Sequence, residues 1–142
     1  MDGPIVTGTD GSDSATKALS AAIKLAGAFD QQLLIVSAYR PTGQAPGNVP
    51  AEFVDLLTPL SKVESLLEDA ASRARTAGVK VTTRAVQGDA ADAILEAADE
   101  IGADLIVIGN KGIGSVKRFV LGNVPSKIVH NASCSTHIVH TT

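Results

Sequence analysis

The chain of 142 residues carries 12 Lys plus Arg against 15 Asp plus Glu, a formal charge of −3, with 44% apolar and 19% charged residues. That mildly acidic balance leaves no basic footprint for nucleic acid and no polybasic patch for a membrane surface. Three Phe, one Tyr and no Trp offer no stacking platform for bases, and a single cysteine, Cys134, excludes an internal disulfide and a cysteine-rich zinc site. A chain of this length buries roughly 68–70% of its unfolded surface, enough for one core, so one domain over residues 1–142 is expected. Met1-Asp2-Gly3-Pro4 has neither the basic start nor the apolar stretch of a signal peptide, and no apolar run approaches the ~20 residues that span a bilayer. The cytoplasm is the expected compartment.

Two apolar patterns alternate along the chain. Ile5-Val6 reads as a first strand, and Ala15, Ala18, Leu19, Ala22, Ile23 and Ala26 then form one stripe of a helix. Leu33 to Val36 reads as a second strand. Arg40 to Pro50, rich in proline and glycine, follows as a mobile loop, with a lid over a ligand as its natural use. Phe53, Leu56, Leu57, Leu60, Val63, Leu67, Ala70, Ala71 and Ala74 keep helical spacing, with Pro59 expected to end or kink the first part and Gly78 to cap the end. Val79 to Val86 reads as a third strand. A helix on Ala93, Ile94, Ala97, Ala98 and Ile101 follows, with Asp89 or its neighbour as N-cap and Gly102 just past the end. Leu105 to Ile108 reads as a fourth strand. A helix split around Gly122 comes next, carrying Val116, Phe119 and Val120 before the glycine and Val124, Ile128 and Val129 after it. His137-Ile138-Val139 closes the series. Such strict alternation predicts an α/β fold, a doubly wound, five-stranded parallel sheet with helices on both faces.

In such sheets ligands bind beyond the carboxyl ends of strands, where strand order reverses. The loops there are Gly8-Thr9-Asp10-Gly11-Ser12-Asp13, Ser37-Ala38-Tyr39, and Gly109-Asn110-Lys111-Gly112-Ile113-Gly114-Ser115. Two of the three are glycine-rich and open helices, so backbone amides and the positive end of a helix dipole can meet an anion, most simply a phosphate. No G-x-x-x-x-G-K-[ST] occurs, and Gly112-Ile113-Gly114 lacks the third glycine of a dinucleotide fingerprint. The distinctive pattern is Gly109-x2-Gly112-x9-Gly122-Asn123, two anion-binding turns that could hold a polyphosphate between them.

Gly8-Thr9-Asp10-Gly11-Ser12, the Gly109 to Asn123 motif and the closing Cys134-Ser135-Thr136-His137-Ile138-Val139-His140 together resemble the universal stress protein family over essentially the whole chain. The resemblance implies an adenine nucleotide alpha hydrolase-like sheet of order 3-2-1-4-5 holding ATP, accompanied by Mg2+, beside the first and fourth strands. It places Gly8, Thr9 and Asp10 at the adenosine, Ala38 at the adenine edge, Ile108 in the pocket wall and Gly109 and Gly112 around ribose and phosphates. Gly122, Asn123 and Val124 would present amides to the phosphate chain. Asn123 stands where serine or threonine is usual: it keeps donors for phosphate and lacks the hydroxyl. Lys111 is this chain's own cation at a variable site. Some family members bind cyclic AMP, so a nucleotide-dependent regulator, a weakly hydrolysing or autophosphorylating enzyme and a ligand-free interaction module all remain open.

Other residues have simpler roles. Asp10 could cap the first helix, a task that Ser12 or Asp13 can also perform. His137 and His140 point to opposite faces of a strand and His130 sits at a helix end, so no metal site is expected. No nucleophile, histidine and acid set converges on the switch point, and no catalytic residue is assigned. Cys134 reads as a small packed side chain. Thr136 to Thr141 contains neither proline nor lysine to block edge pairing, and the family resemblance implies an antiparallel homodimer through this strand.

Overall fold

A computed structural model describes residues 1–40, 59–111 and 121–141. In chain order its elements are β1 (Ile5–Gly8), α1 (Asp13–Phe29), β2 (Leu33–Tyr39), α2 (Leu60–Thr76), β3 (Val81–Gln87), α3 (Ala90–Ile101), β4 (Leu105–Gly109), α4 (Asn123–Asn131) and β5 (Ser135–Val139). The unbroken apolar runs became the central strands because both of their faces are covered. All pairings are parallel, and the order β3-β2-β1-β4-β5 is the one the sequence resemblance implies.

The register sorts the core into two layers. Ile5 lies opposite Leu33 and Leu105, and this rung packs with Leu19, Ala22 and Ala26 of α1 and Val63, Leu67 and Ala74 of α2. One residue on, Val6 lies opposite Leu34 and Ile106 and packs with Ile94, Ala97 and Ala98 of α3 and Ile128 of α4. Alanines on the inward stripes let the helix axes approach the sheet closely. Each fully buried Ile or Leu contributes about 1.5–3 kcal/mol relative to exposure. Thr7, fully buried on β1, donates its hydroxyl to the Val107 carbonyl at 2.8 Å, so the core holds this polar atom without cost from an unmade bond.

The chain leaves β1 for β2 and β3 on one side and returns to β4 and β5 on the other. The reversal therefore falls between β1 and β4, at the carboxyl ends of both.

Two expectations need correction. The third strand begins at Val81, not Val79. The Val79 amide donates to the Ala74 carbonyl at 3.0 Å and its side chain packs in the α1–α2 layer, which makes Val79 the apolar stop of α2. Pro59 is the N-cap of α2, where its fixed φ of −68° suits a helix entry, and the part of the stripe that it is expected to end or kink lies outside the described residues. Phe53, Leu56 and Leu57 lie outside the described residues. Val129, expected in the stripe of the last helix, is 47% exposed while its neighbour Ile128 is buried, because α4 buries only the line through Pro125 and Ile128 and Val129 lies 100° around the helix from it. Val116, Phe119 and Val120 also lie outside the described residues. Asp89 and Gly102 cap α3 as expected, the Asp89 carboxylate accepting from the Asp92 amide at 3.0 Å.

Candidate functional site

Two turns at the switch point face each other. The first continues β1. The Thr9 amide donates to the Val36 carbonyl at 2.9 Å, and Ser37 of β2 donates its hydroxyl to the Thr9 carbonyl at 2.7 Å, so β2 holds Thr9 at both ends. The turn then closes on itself. The Asp10 carboxylate accepts from the Ser12 amide at 2.9 Å, the Thr9 hydroxyl from the Gly11 amide at 3.3 Å, and the Ser12 hydroxyl caps α1 by accepting from the Ala15 amide at 3.2 Å. Ser12 is thus the cap, and one oxygen of Asp10 is committed to the turn.

The second turn continues β4 and is held from elsewhere. The Asn110 amide donates to the Val139 carbonyl at 3.0 Å, and the Gly122 amide donates to the Asn110 carbonyl at 3.0 Å. Ser14 of α1 donates its hydroxyl to the Lys111 carbonyl at 2.7 Å. The Asn110 side-chain carbonyl accepts from both the amide and the hydroxyl of Thr141, at 2.9 and 2.7 Å.

Glycine is required at both strand ends. A Cβ on Gly8 would overlap Ile94 Cδ1, and one on Gly109 would lie 2.5 Å from Ser14 Oγ and 3.2 Å from the Ser14 carbonyl. The missing side chains let α3 and α1 close over the strands, and a cleft lies between the two turns. Val36, Ala38, Ile94 and Ile108 give it an apolar wall, while Thr9, Asp10 and Lys111 add polar groups at its rim.

The predicted site residues Gly8, Thr9, Asp10, Ala38, Ile108, Gly109, Lys111 and Val124 all line this cleft. Gly122 and Asn123 do not form its wall. The Gly122 amide is bonded to Asn110, and a Cβ at Gly122 would meet Lys111 Cα at 3.2 Å, so this glycine lets α4 pack against the second turn. Gly112 lies outside the described residues, as do Lys117, Arg118 and residues 41–50 of the expected lid. Sequence reasoning missed Ala90, Ile94 and Pro125 on the wall, and Ser14 and Thr141 behind it, while Asn110 belongs to a loop already singled out. Ile94 and Ala90 carry no motif; their only signal was membership of the helix that follows the third strand. Ser37 sat inside a loop already singled out.

The helix ends around the cleft differ electrostatically. α1 is capped by Ser12. α3 is capped by Asp89, whose carboxyl is held below its ordinary value by the Asp92 amide first and by Lys127 second, against the opposing effect of burial. Lys127 bridges from α4 to Asp92 at 2.8 Å and to Asp89 at 3.4 Å. α4 has no side-chain cap. Its first helical bond runs from the Ser126 amide to the Gly122 carbonyl, so the Asn123 and Val124 amides have no acceptor within the helix, and Pro125 has no amide proton to satisfy. With Val124 and Lys111 on the wall, an anion is best accommodated at this side.

The remaining titratable candidates have local roles. His130 shares a 2.7 Å hydrogen bond with the Ser126 carbonyl in the last turn of α4, while His137 and His140 are exposed. Cys134 is half-buried against the α3–α4 layer, and that burial, with Asp99 and Asp104 behind it, pushes its thiol up.

Comparison with known proteins supplies independent findings. Residues 1–140 match the model of the Universal stress protein family. Universal stress protein Rv1636 of Mycobacterium tuberculosis is 39% identical over 146 residues, covering 97% of this chain and 96% of its own length. Universal stress protein YxiE of Bacillus subtilis is 35% identical, covering 98% and 99%. Among solved structures, a universal stress protein in complex with cAMP superposes with a TM-score of 0.75 at 35% identity, covering 99% of this chain and 98% of that one.

Proposed function

The chain belongs to the universal stress protein family, and from that premise we propose that it is an adenine-nucleotide-binding regulator whose ligand occupies the cleft between the β1 and β4 turns. One observation carries the reading: an apolar slot on β2, β4 and α3 is joined to a rim with a lysine and an uncapped helix start. Adenine fits the slot by dispersion and by hydrogen bonds to main-chain groups near Ala38. Ribose lies near Thr9 and Asp10, and phosphate meets Lys111 and the Asn123 and Val124 amides.

ATP is the fuller occupant. Its charge would draw on both the α4 start and Lys111, with Mg2+ as its counter-ion. Cyclic AMP is the second reading, favoured by the relative that carries it at 35% identity. Isothermal titration with ATP, cyclic AMP and adenosine tests both. Binding of ATP and of cyclic AMP is expected, with Lys111→Ala weakening ATP about tenfold and adenosine little, the size of one charge-assisted hydrogen bond. Absence of heat for all three with folded protein overturns the reading.

The regulator is further proposed to be a homodimer through β5. Support comes from the sheet order, in which β5 pairs with β4 alone, and from its lack of proline and lysine. Sedimentation equilibrium at micromolar protein should give twice the mass of one chain, and the mass of a single chain would refute it. A cytoplasmic setting suits a single half-buried cysteine that needs no oxidising surroundings.

A further inference from the structure

β4 and β5 stop pairing at Gly109 and Val139, yet the ladder gains one more rung. Past the strand end, the Asn110 side-chain carbonyl takes the place of the next main-chain acceptor and receives the Thr141 amide at 2.9 Å. We propose that Thr141, with Asn110 and Ser14, is a latch that positions the Asn110–Lys111 turn and so sets the affinity of the cleft for the phosphate-bearing part of its ligand. The ligand half of this proposal rests on the nucleotide reading above.

The latch is built inside the protein. Thr141 is 7% exposed and Ser14 is 5% exposed, and their hydroxyls lie 2.7 Å apart. Each hydroxyl has one proton, while three contacts compete for the two: Thr141 to Asn110, Ser14 to Lys111, and the two hydroxyls to each other. One arrangement satisfies both carbonyl acceptors: the Thr141 amide and hydroxyl serve Asn110, and the Ser14 hydroxyl serves the Lys111 carbonyl. Thr141 and Ser14, in contact through their hydroxyl oxygens, thereby hold the two residues of the turn side by side. Lys17 fixes the other side of Thr141, its ammonium donating to the Thr141 carbonyl at 3.1 Å.

Ser14, Asn110 and Thr141 stand behind the cleft wall, so they are positioning residues that act through Lys111. The apolar slot is carried by Val36 and Ala38 of β2, Ile94 of α3 and Ile108 of β4, and the latch bonds none of these residues. Phosphate affinity should therefore respond to the latch and adenosine affinity should not.

Thr141→Val keeps shape and amide but removes the hydroxyl, and Thr141→Ser restores it. In ligand-free protein, Thr141→Val should speed hydrogen exchange at the Asn110 and Gly122 amides about tenfold while leaving β2 amides unchanged, and Thr141→Ser should return both to the wild-type rate. In titrations, Thr141→Val should weaken AMP and ATP about tenfold and adenosine less than twofold. Ser14→Ala should reproduce both effects. Unchanged exchange, or an equal loss for adenosine and AMP, overturns the latch. Should wild-type protein bind no nucleotide, the nucleotide reading falls, and the exchange measurement still decides the latch by itself.

Discussion

The turns after β1 and β4 look alike in sequence, each a glycine followed by small and polar residues, but they are held by different means. The first is closed by its own members: Asp10 to Ser12, Thr9 to Gly11 and Ser12 to Ala15 span two or three residues each. Among the described residues, the second is held by Ser14, Gly122, Val139 and Thr141, none of them nearer than about ten residues in sequence. A turn made locally folds with its helix and keeps its shape when neighbours move. A turn made at a distance takes its shape from the finished sheet, and its rigidity depends on every segment that reaches it.

The largest test of that contrast is a pair of substitutions at the two strand ends. Gly109→Ala should cost about 2–3 kcal/mol in chemical denaturation, because the new methyl meets the Ser14 carbonyl as well as its hydroxyl and main chain cannot step aside. Gly8→Ala meets only the tip of Ile94, which can change rotamer, so roughly 1 kcal/mol is expected. A larger loss at Gly8 would reverse the ranking of the two turns.

Removing one hydroxyl from each side comes next. Ser14→Ala leaves the Lys111 carbonyl short of its donor, and about 1–3 kcal/mol should be lost. Ser12→Ala removes a helix cap, with about 1 kcal/mol lost and hydrogen exchange raised only in the first turn of α1. Faster exchange at Gly122 in Ser12→Ala would show that the first turn is not self-contained.

The turn into α3 extends the comparison to a third helix start, closed locally by Asp89. Its carboxyl is depressed in the folded protein, so the stabilisation is present above the ordinary value of 3.8 and is lost as pH falls through the folded value. Acid denaturation of wild type and Asp89→Asn should therefore converge below about pH 4, where Asp89→Asn, still able to cap, loses its disadvantage. A constant gap down to pH 2 would mean that the carboxylate charge contributes nothing. The smallest effect is chemical: the raised Cys134 thiol should alkylate more slowly at neutral pH than a free thiol, timed with iodoacetamide.

These contrasts also explain what could be read in advance. Strands β1, β2 and β4 were legible because burial on both faces demands unbroken apolar runs. The start of α1 was legible to within a few residues, with Asp10, Ser12 and Asp13 all able to cap it, and the structure selects Ser12. The third strand began two residues late because Val79 suits a strand and a helix stop equally well, and only its bond to Ala74 decides between them. Val129 was assigned to the core on periodicity, but a nine-residue helix packed along one narrow line buries Ile128 and leaves Val129 in solvent. Most of the cleft wall was visible as glycine turns at a strand-order reversal. Ile94 was not, since its place depends on the absence of a side chain at Gly8, 86 residues earlier in the chain.

The amino-acid sequence alone determined the alternation of strands and helices, the short stretches from which the caps of α1 and α3 are drawn, and the loops from which a phosphate site could be made, because each depends on residues within a few positions of one another. Only the tertiary structure decided which face each helix covers, that Gly122 supports the second turn with its amide, and that Thr141 reaches Asn110 and Ser14. Those outcomes depend on the register of parallel strands joined through long crossovers, and no local pattern encodes a hydrogen bond between residues that meet only after the sheet has formed.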